Sequence, residues 1–218
     1  MLCVNDLFDV SKTIAAPLLE KQDAPWTALS QLSDFILQLG KTLEGGYEKR
    51  GDDVWIAADA TVAASALIIG PCIIDSGAEI RHCAFIRGSV IVGKGAVVGN
   101  SVELKNALLF DGVQVPHYNY IGDSILGYKA HFGAGSLTSN VKSDKSLVAI
   151  KTPDGPVPTG LKKLGALVGD GVEIGCNAVL CPGTVIGRGT RVYPLCRVRG
   201  LVEANCIYKD DGNCVPQR

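Results

Sequence analysis

Imidazole takes up and returns protons near neutral pH, so the 3 histidines are the first residues to ask about chemistry. Two of them, His117 and His131, fall in VPHYNYIGDSILGYKAHFGAGSLTSN (115–140). The same stretch holds Gly133-Ala134-Gly135, where glycine permits a close approach to the backbone. A second candidate lies just beyond. Lys142, Lys145, Lys151, Lys162 and Lys163 stand against Asp144 and Asp154 in 137–165, a locally basic run. The 8 cysteines contain no CxxC pair, so structural zinc of the usual spacing is not expected, and they read as reduced, mostly apolar fillers.

The elements that must position these residues show a period of six. Ile56, Val62, Ile68, Ile74, Ile80, Ile86, Val92, Val98 and Leu104 are all aliphatic. Four residues after each comes a mostly small companion: Ala60, Ala66, Cys72, Ala78, Ala84, Val90, Ala96, Val102 and Leu108. The period resumes in a shifted register at Leu126 and Phe132, then runs from Val168 to Val198. An α-helix smears a period of six around its axis, and a flat strand repeats every two residues. A triangular coil of three short strands fits, with one aliphatic residue inside each face and a small one at each corner. This hexapeptide pattern predicts a mainly β fold, a left-handed parallel β-helix of about six coils.

Three parts follow. Residues 1–50 form a helical segment and linker, 51–200 the β-helix interrupted by an arm at 137–165, and 201–218 a tail. In the first, Asp23 is a candidate N-cap before Pro25, Leu29, Leu32, Ile36 and Leu39 recur at helical spacing, and Gly40 can end the helix. EGGYEKRG (44–51) reads as a linker, and Pro153-Asp154-Gly155 as a turn between two strand-like runs of the arm.

His117-Tyr118-Asn119-Tyr120-Ile121-Gly122-Asp123, then Phe132-Gly133-Ala134-Gly135-Ser136 and Asn140, resemble the acetyltransferase domain of bifunctional N-acetylglucosamine-1-phosphate uridylyltransferases. KKLGALVGDGVEIG (162–175) resembles the corresponding domain of archaeal sugar-1-phosphate nucleotidylyltransferases. The resemblance covers roughly 65–200 and implies acetyl transfer from acetyl-CoA, as co-substrate, to the amine of a glucosamine-type sugar phosphate, with no need for magnesium. It places His117 as general base and the backbone N–H at Ala134 on the developing oxyanion. Arg87 and Lys105 take the positions of phosphate-binding cations, and Tyr120 and Asn140 those of acceptor contacts. Lys142 or Lys145 would add a phosphate contact. His131 stands where the family commonly has an acceptor-contacting Asn. Cys176 and Pro194 replace small residues on the acetyl-CoA side, where Arg188, Arg191, Arg197 and Arg199 are candidates for the 3′-phosphate. No nucleotidyltransferase motif precedes the repeats.

Other readings compete. Arg87 and Lys105 each follow an aliphatic column residue and would serve equally as solvated corners. His82, His117 and His131 could meet zinc across a subunit interface as in γ-class carbonic anhydrases. A non-catalytic sugar-nucleotide-binding or scaffold solenoid is the third possibility. With 21 Lys+Arg against 22 Asp+Glu and a net charge of -1, no field favours nucleic acid or an anionic membrane. MLCVNDLFDV lacks a secretory pattern, so a cytoplasmic location is expected. The resemblance implies a homotrimer with sites between neighbouring prisms and an arm reaching across.

Overall fold

The structure is a computed structural model that describes residues 2–209 and 213–217. The repeat region forms a parallel β-solenoid with three faces. Strands Val54–Ala57, Cys72–Ile74 and Val90–Val92 begin the first face, Thr61–Val62, Glu79–Ile80 and Val97–Asn100 the second, and Leu67–Ile69 and Phe85–Arg87 the third. The two longest strands, Glu103–Leu109 and Tyr120–Leu126, bend around a corner and serve both third and first faces.

The aliphatic columns point inward as their period requires. Val62 pairs with Ile80, Ile80 with Val98 and Val98 with Val115, and Phe132, Ile174, Val192 and Tyr208 continue that column. Ile74, Ile80, Ile86, Val92, Val98 and Leu104 are buried, as are the companions Cys72, Ala78, Ala84 and Ala96. The register shift has a simple cause. Successive coils advance by 18 residues down to Val97, but Val97 pairs with Gln114 and Gln114 with His131, so these coils are 17 residues long. The second face belongs to a 9-stranded sheet, so the stack is taller than the six coils expected. Part of the added height comes from the predicted tail. Leu201–Val202 and Cys206–Tyr208 pair in parallel with Thr184–Ile186 and Arg191–Val192, because Val202 and Tyr208 extend two inward columns.

The helix spans Ala28–Gly40 and buries Leu29, Leu32 and Ile36. Its start differs from expectation. Pro25 opens a 3-10 turn, Pro25–Thr27, that runs directly into the helix, so Thr27 rather than Asp23 precedes it and no side chain caps it. Proline suits that first turn because it has no N–H to leave unsatisfied. Gly40 does more than end the helix: a Cβ there would lie 2.5 Å from the Trp55 ring. The helix lies across the first face, over Cys72–Ile74, Val90–Val92 and the later halves of the two long strands. Every residue of those two short strands is therefore buried, whereas the second face alternates. The expected linker contributes a strand, Tyr47–Arg50, antiparallel to Val54–Ala57.

The inserted arm starts later than 137, since Leu137–Thr138 still belongs to the stack. It forms a hairpin, Ala149–Thr152 with Gly155–Pro158, turning at Pro153-Asp154 as predicted. Val148, Ile150 and Leu164 are buried, and Val148 and Lys151 close on Gly183 and Gly200 of the later coils. Its apolar side thus folds back onto its own prism rather than standing away from it. Helix and hairpin together cover the first face and leave the second and third to carry function. No helix among the described residues is long and apolar enough to cross a membrane.

Candidate active site

The corner between the second and third faces repeats one backbone device down the prism. Cys83, Ser101, Tyr118, Gly135, Asn177 and Leu195 all have positive φ. The N–H of Ser101, Tyr118, Gly135, Asn177 and Leu195 donates to the carbonyl of His82, Asn100, His117, Ala134 and Cys176 respectively, at 2.9 to 3.2 Å. His117, Ala134, Cys176 and Pro194 therefore occupy equivalent corner positions on successive coils, about 4.8 Å apart.

His117 ends the strand Gln114–His117 with its side chain exposed. Asn119 fixes the corner beneath it. That residue is 2% exposed, accepts the His117 N–H at 3.1 Å, and donates to the Gly133 and Ser136 carbonyls at 2.9 Å. Tying the coil of His117 to the coil of Ala134, it sets the height of one above the other. No hydrogen bond within the described residues occupies the Ala134 N–H.

Past the corner the chain enters the third face at Tyr120. Its ring lies across Gly122, where a Cβ would overlap the hydroxyl and come within 2.9 Å of Asn140 Nδ2. Asn140 donates to the Tyr120 hydroxyl at 3.1 Å and to Asp123 Oδ2 at 2.5 Å. Asp123 is 5% exposed, also accepts from Asn106 at 2.9 Å, and faces Lys105 Nζ at 3.6 Å. The Tyr120 phenol is raised above its ordinary pKa by burial and by the Asp123 charge, so it stays protonated. Arg87 lies on the same face, paired with Glu103 and set over Phe85. The Glu103 hydrogen bond, then its charge, raises the guanidinium pKa further. Arg87 and Lys105 therefore each face a carboxylate.

The structure brings Arg87, Lys105, Tyr120 and Asn140 onto one face beside His117 and Ala134. Arg197 lies on that face too, reached from Tyr120 by successive pairing through Leu137 and Val179. Other candidates lie elsewhere. His131 sits at the opposite end of the second face, its Nδ1 2.8 Å from Glu173. Arg188 belongs to another corner, 3.4 Å from Asp170. Lys142 folds onto Ser146 and Asp144 of its own loop, and Lys145 sits in the turn Lys142 begins. His82, at the same corner as His117 but on an earlier coil, contacts Ser65 and Cys83. The organising residues Asn119, Asp123, Asn106 and Glu103 carry no role in the sequence reading. Two of them, Asn119 and Asp123, stand inside the motif that drew attention to His117.

Comparison with known proteins gives the following. Residues 68–149 match the family described as the GMPPB C-terminal domain, and 165–200 match bacterial transferase hexapeptide (six repeats). Bifunctional protein GlmU of Methanococcus maripaludis (strain C5) is 32% identical over 191 residues, 86% of this chain and 46% of that protein. The bifunctional sugar-1-phosphate nucleotidylyltransferase/acetyltransferase of Sulfurisphaera tokodaii is 35% identical over 111 residues, 51% of this chain and 28% of that protein. The uncharacterized acetyltransferase YaiX of Escherichia coli (strain K12) is 32% identical over 158 residues, 72% of this chain and 67% of that protein. The chain thus spans about half the length of the first of these relatives or less, and two thirds of the last.

Proposed function

The chain belongs to the hexapeptide-repeat acyltransferases, and from that premise we propose that it moves acetyl from acetyl-CoA to the amine of an amino-sugar phosphate or a nucleotide-linked amino sugar. One observation carries the reading: the corner that holds His117 one coil above Ala134 opens onto the face bearing Tyr120, Asn140, Lys105 and Arg87. The acceptor amine, arriving uncharged, attacks the thioester carbonyl. His117 takes the amine proton, and the N–H of Ala134 meets the oxyanion as the tetrahedral intermediate forms. Collapse expels the thiol of CoA, to which His117 returns the proton.

The acceptor's phosphate draws Arg87 away from Glu103, an exposed pair that is weakly held in water. Lys105 adds a second charge while Asp123 keeps it in place. The pantetheine arm lies along the corner past Cys176 and Pro194, with Arg197 and Arg199 exposed beyond it, while Arg191 stands in register with His131 at the opposite end of the second face. His117 and Tyr118 are both exposed on a single chain, and a reaction that must exclude water needs walls. A neighbouring copy in a homotrimer supplies them.

The deciding experiment measures acetyl-CoA-dependent thiol release with a panel of amino-sugar phosphates and nucleotide-linked amino sugars, beside His117→Ala. Turnover on one acceptor that the variant loses supports the reading. Silence on every acceptor from a folded protein overturns it in favour of a binding solenoid.

A further inference from the structure

The C-terminal strands carry a sulfur pair that the proposed chemistry does not use. Cys206–Tyr208 runs antiparallel to Cys214–Pro216, with Cys206 opposite Pro216 and Tyr208 opposite Cys214. Residues two apart on a strand share a face, so Cys206 and Cys214 are diagonal neighbours on one side of the ladder. Their Sγ atoms are 2.6 Å apart. The backbone holds them there independently of any bond between them. Lys209 donates to the Asn213 carbonyl at 2.8 Å, Gln217 N–H to Asn205 at 3.1 Å, and the Gln217 side chain to the Cys206 carbonyl at 3.3 Å. Cys206 is buried while Cys214 is exposed, so one sulfur is reachable and the other waits beneath it.

We propose that Cys206 and Cys214 are a disulfide-forming pair, oxidised by a low-molecular-weight disulfide and restored by thiols. The Cys214 thiolate attacks one sulfur of the external disulfide and releases its other half as a thiol, leaving a mixed disulfide. The Cys206 thiolate then attacks Cys214 Sγ and releases the second half. Two protein thiols lose their protons and two electrons to one external disulfide, which becomes two thiols. Partial burial of the sulfur atom, then its hydrogen bond with Cys206, push the Cys214 thiol up to about 12. The first step therefore quickens as the buffer is made more alkaline.

Cleavage after Lys209 separates the two cysteines into peptides 200–209 and 210–218, which makes the test direct. The full chain is incubated with oxidised glutathione, its remaining thiols are alkylated, and it is digested with trypsin for mass spectrometry. The expected product is 200–209 joined to 210–218, lighter by two hydrogens than the sum of the free peptides and separated by reduction. In Cys214→Ser the joined species is absent and Cys206 is alkylated. Recovery of both wild-type peptides unjoined, with Cys206 and Cys214 alkylated or bearing glutathione, overturns the proposal. So does either cysteine joined to another partner.

Discussion

The coils from Val54 to Val102 and those from Glu103 to Thr138 share one fold and differ in what they put inside it. The earlier coils step by 18 residues and fill their columns with Ile and Val. The later coils step by 17 and, beside aliphatic columns of their own, bury Asn119, Asp123, Ser124, Ser136 and Thr138. Each of those polar groups is satisfied: Asn119 by two carbonyls, Thr138 by the Gly122 N–H at 2.9 Å, and Ser124 by the Gly122 carbonyl at 2.7 Å. The first region gains stability from apolar burial. The second gives up some of that gain for directional contacts that fix where His117, Tyr120 and Asn140 stand.

That contrast is open to attack by substitution. His117→Ala is expected to cost 10²- to 10⁴-fold in kcat, the range typical of a lost general base, with thermal unfolding unchanged because the side chain is exposed. A matching fall in unfolding temperature would make His117 structural. In the aliphatic coils, Ile86→Ala should do the opposite and cost about 2–5 kcal/mol of stability by denaturant titration, with KM preserved. Asn119→Ala should cost about 1–3 kcal/mol, since the His117 N–H and the Ser136 carbonyl lose their bond to it while the Gly133 carbonyl keeps Ser136, and should also depress kcat by letting the two coils slip. Stability loss with kcat intact would reduce Asn119 to scaffolding. Gly122→Ala is expected to raise KM for the acceptor severalfold, because the new methyl evicts the Tyr120 hydroxyl from Asn140, with a smaller effect on folding.

The mildest test concerns a half-buried carboxylate of the later coils. Burial raises the Asp111 pKa, opposed by the Lys94 N–H, so the folded state holds its proton to higher pH than the unfolded chain. Stability associated with this group is greatest below the unfolded carboxylate pKa and declines as pH rises through the folded one. Asp111→Asn should therefore remove a fall in stability with rising pH, so that the variant's unfolding temperature gains on the wild type as pH rises through that window. An unchanged slope would show that Asp111 titrates normally.

The solenoid was legible because its inward residues are aliphatic at strict intervals, and nothing else repeats every six. The 17-residue coils were legible only as a break, since one missing residue scrambles the period without saying which coil lost it. His117 and its neighbours showed through their motif. Asp123 and Asn106 did not stand out as partners, because their link crosses a coil whose length the sequence leaves ambiguous. The docking of helix Ala28–Gly40 was hidden for a different reason. Cys72, Ile73 and Ile74 form an unbroken apolar triplet, but only the assembled prism shows that Ile73 faces outward and needs a cover. Arg188 drew notice by charge alone, and charge does not say which of three corners a residue occupies.

A stack of identical parallel rungs invites addition of another, and an open end offers unpaired N–H and C=O groups to the next molecule. Here the first face begins on Tyr47–Arg50 and the second ends on Cys214–Pro216, both running against the direction of the stack. A reversed strand presents the wrong pattern of donors and acceptors to an incoming parallel coil, and Glu48, Lys49 and Arg50 add exposed charge at one end. One of the three faces at each end of the prism is thereby blunted against an incoming coil.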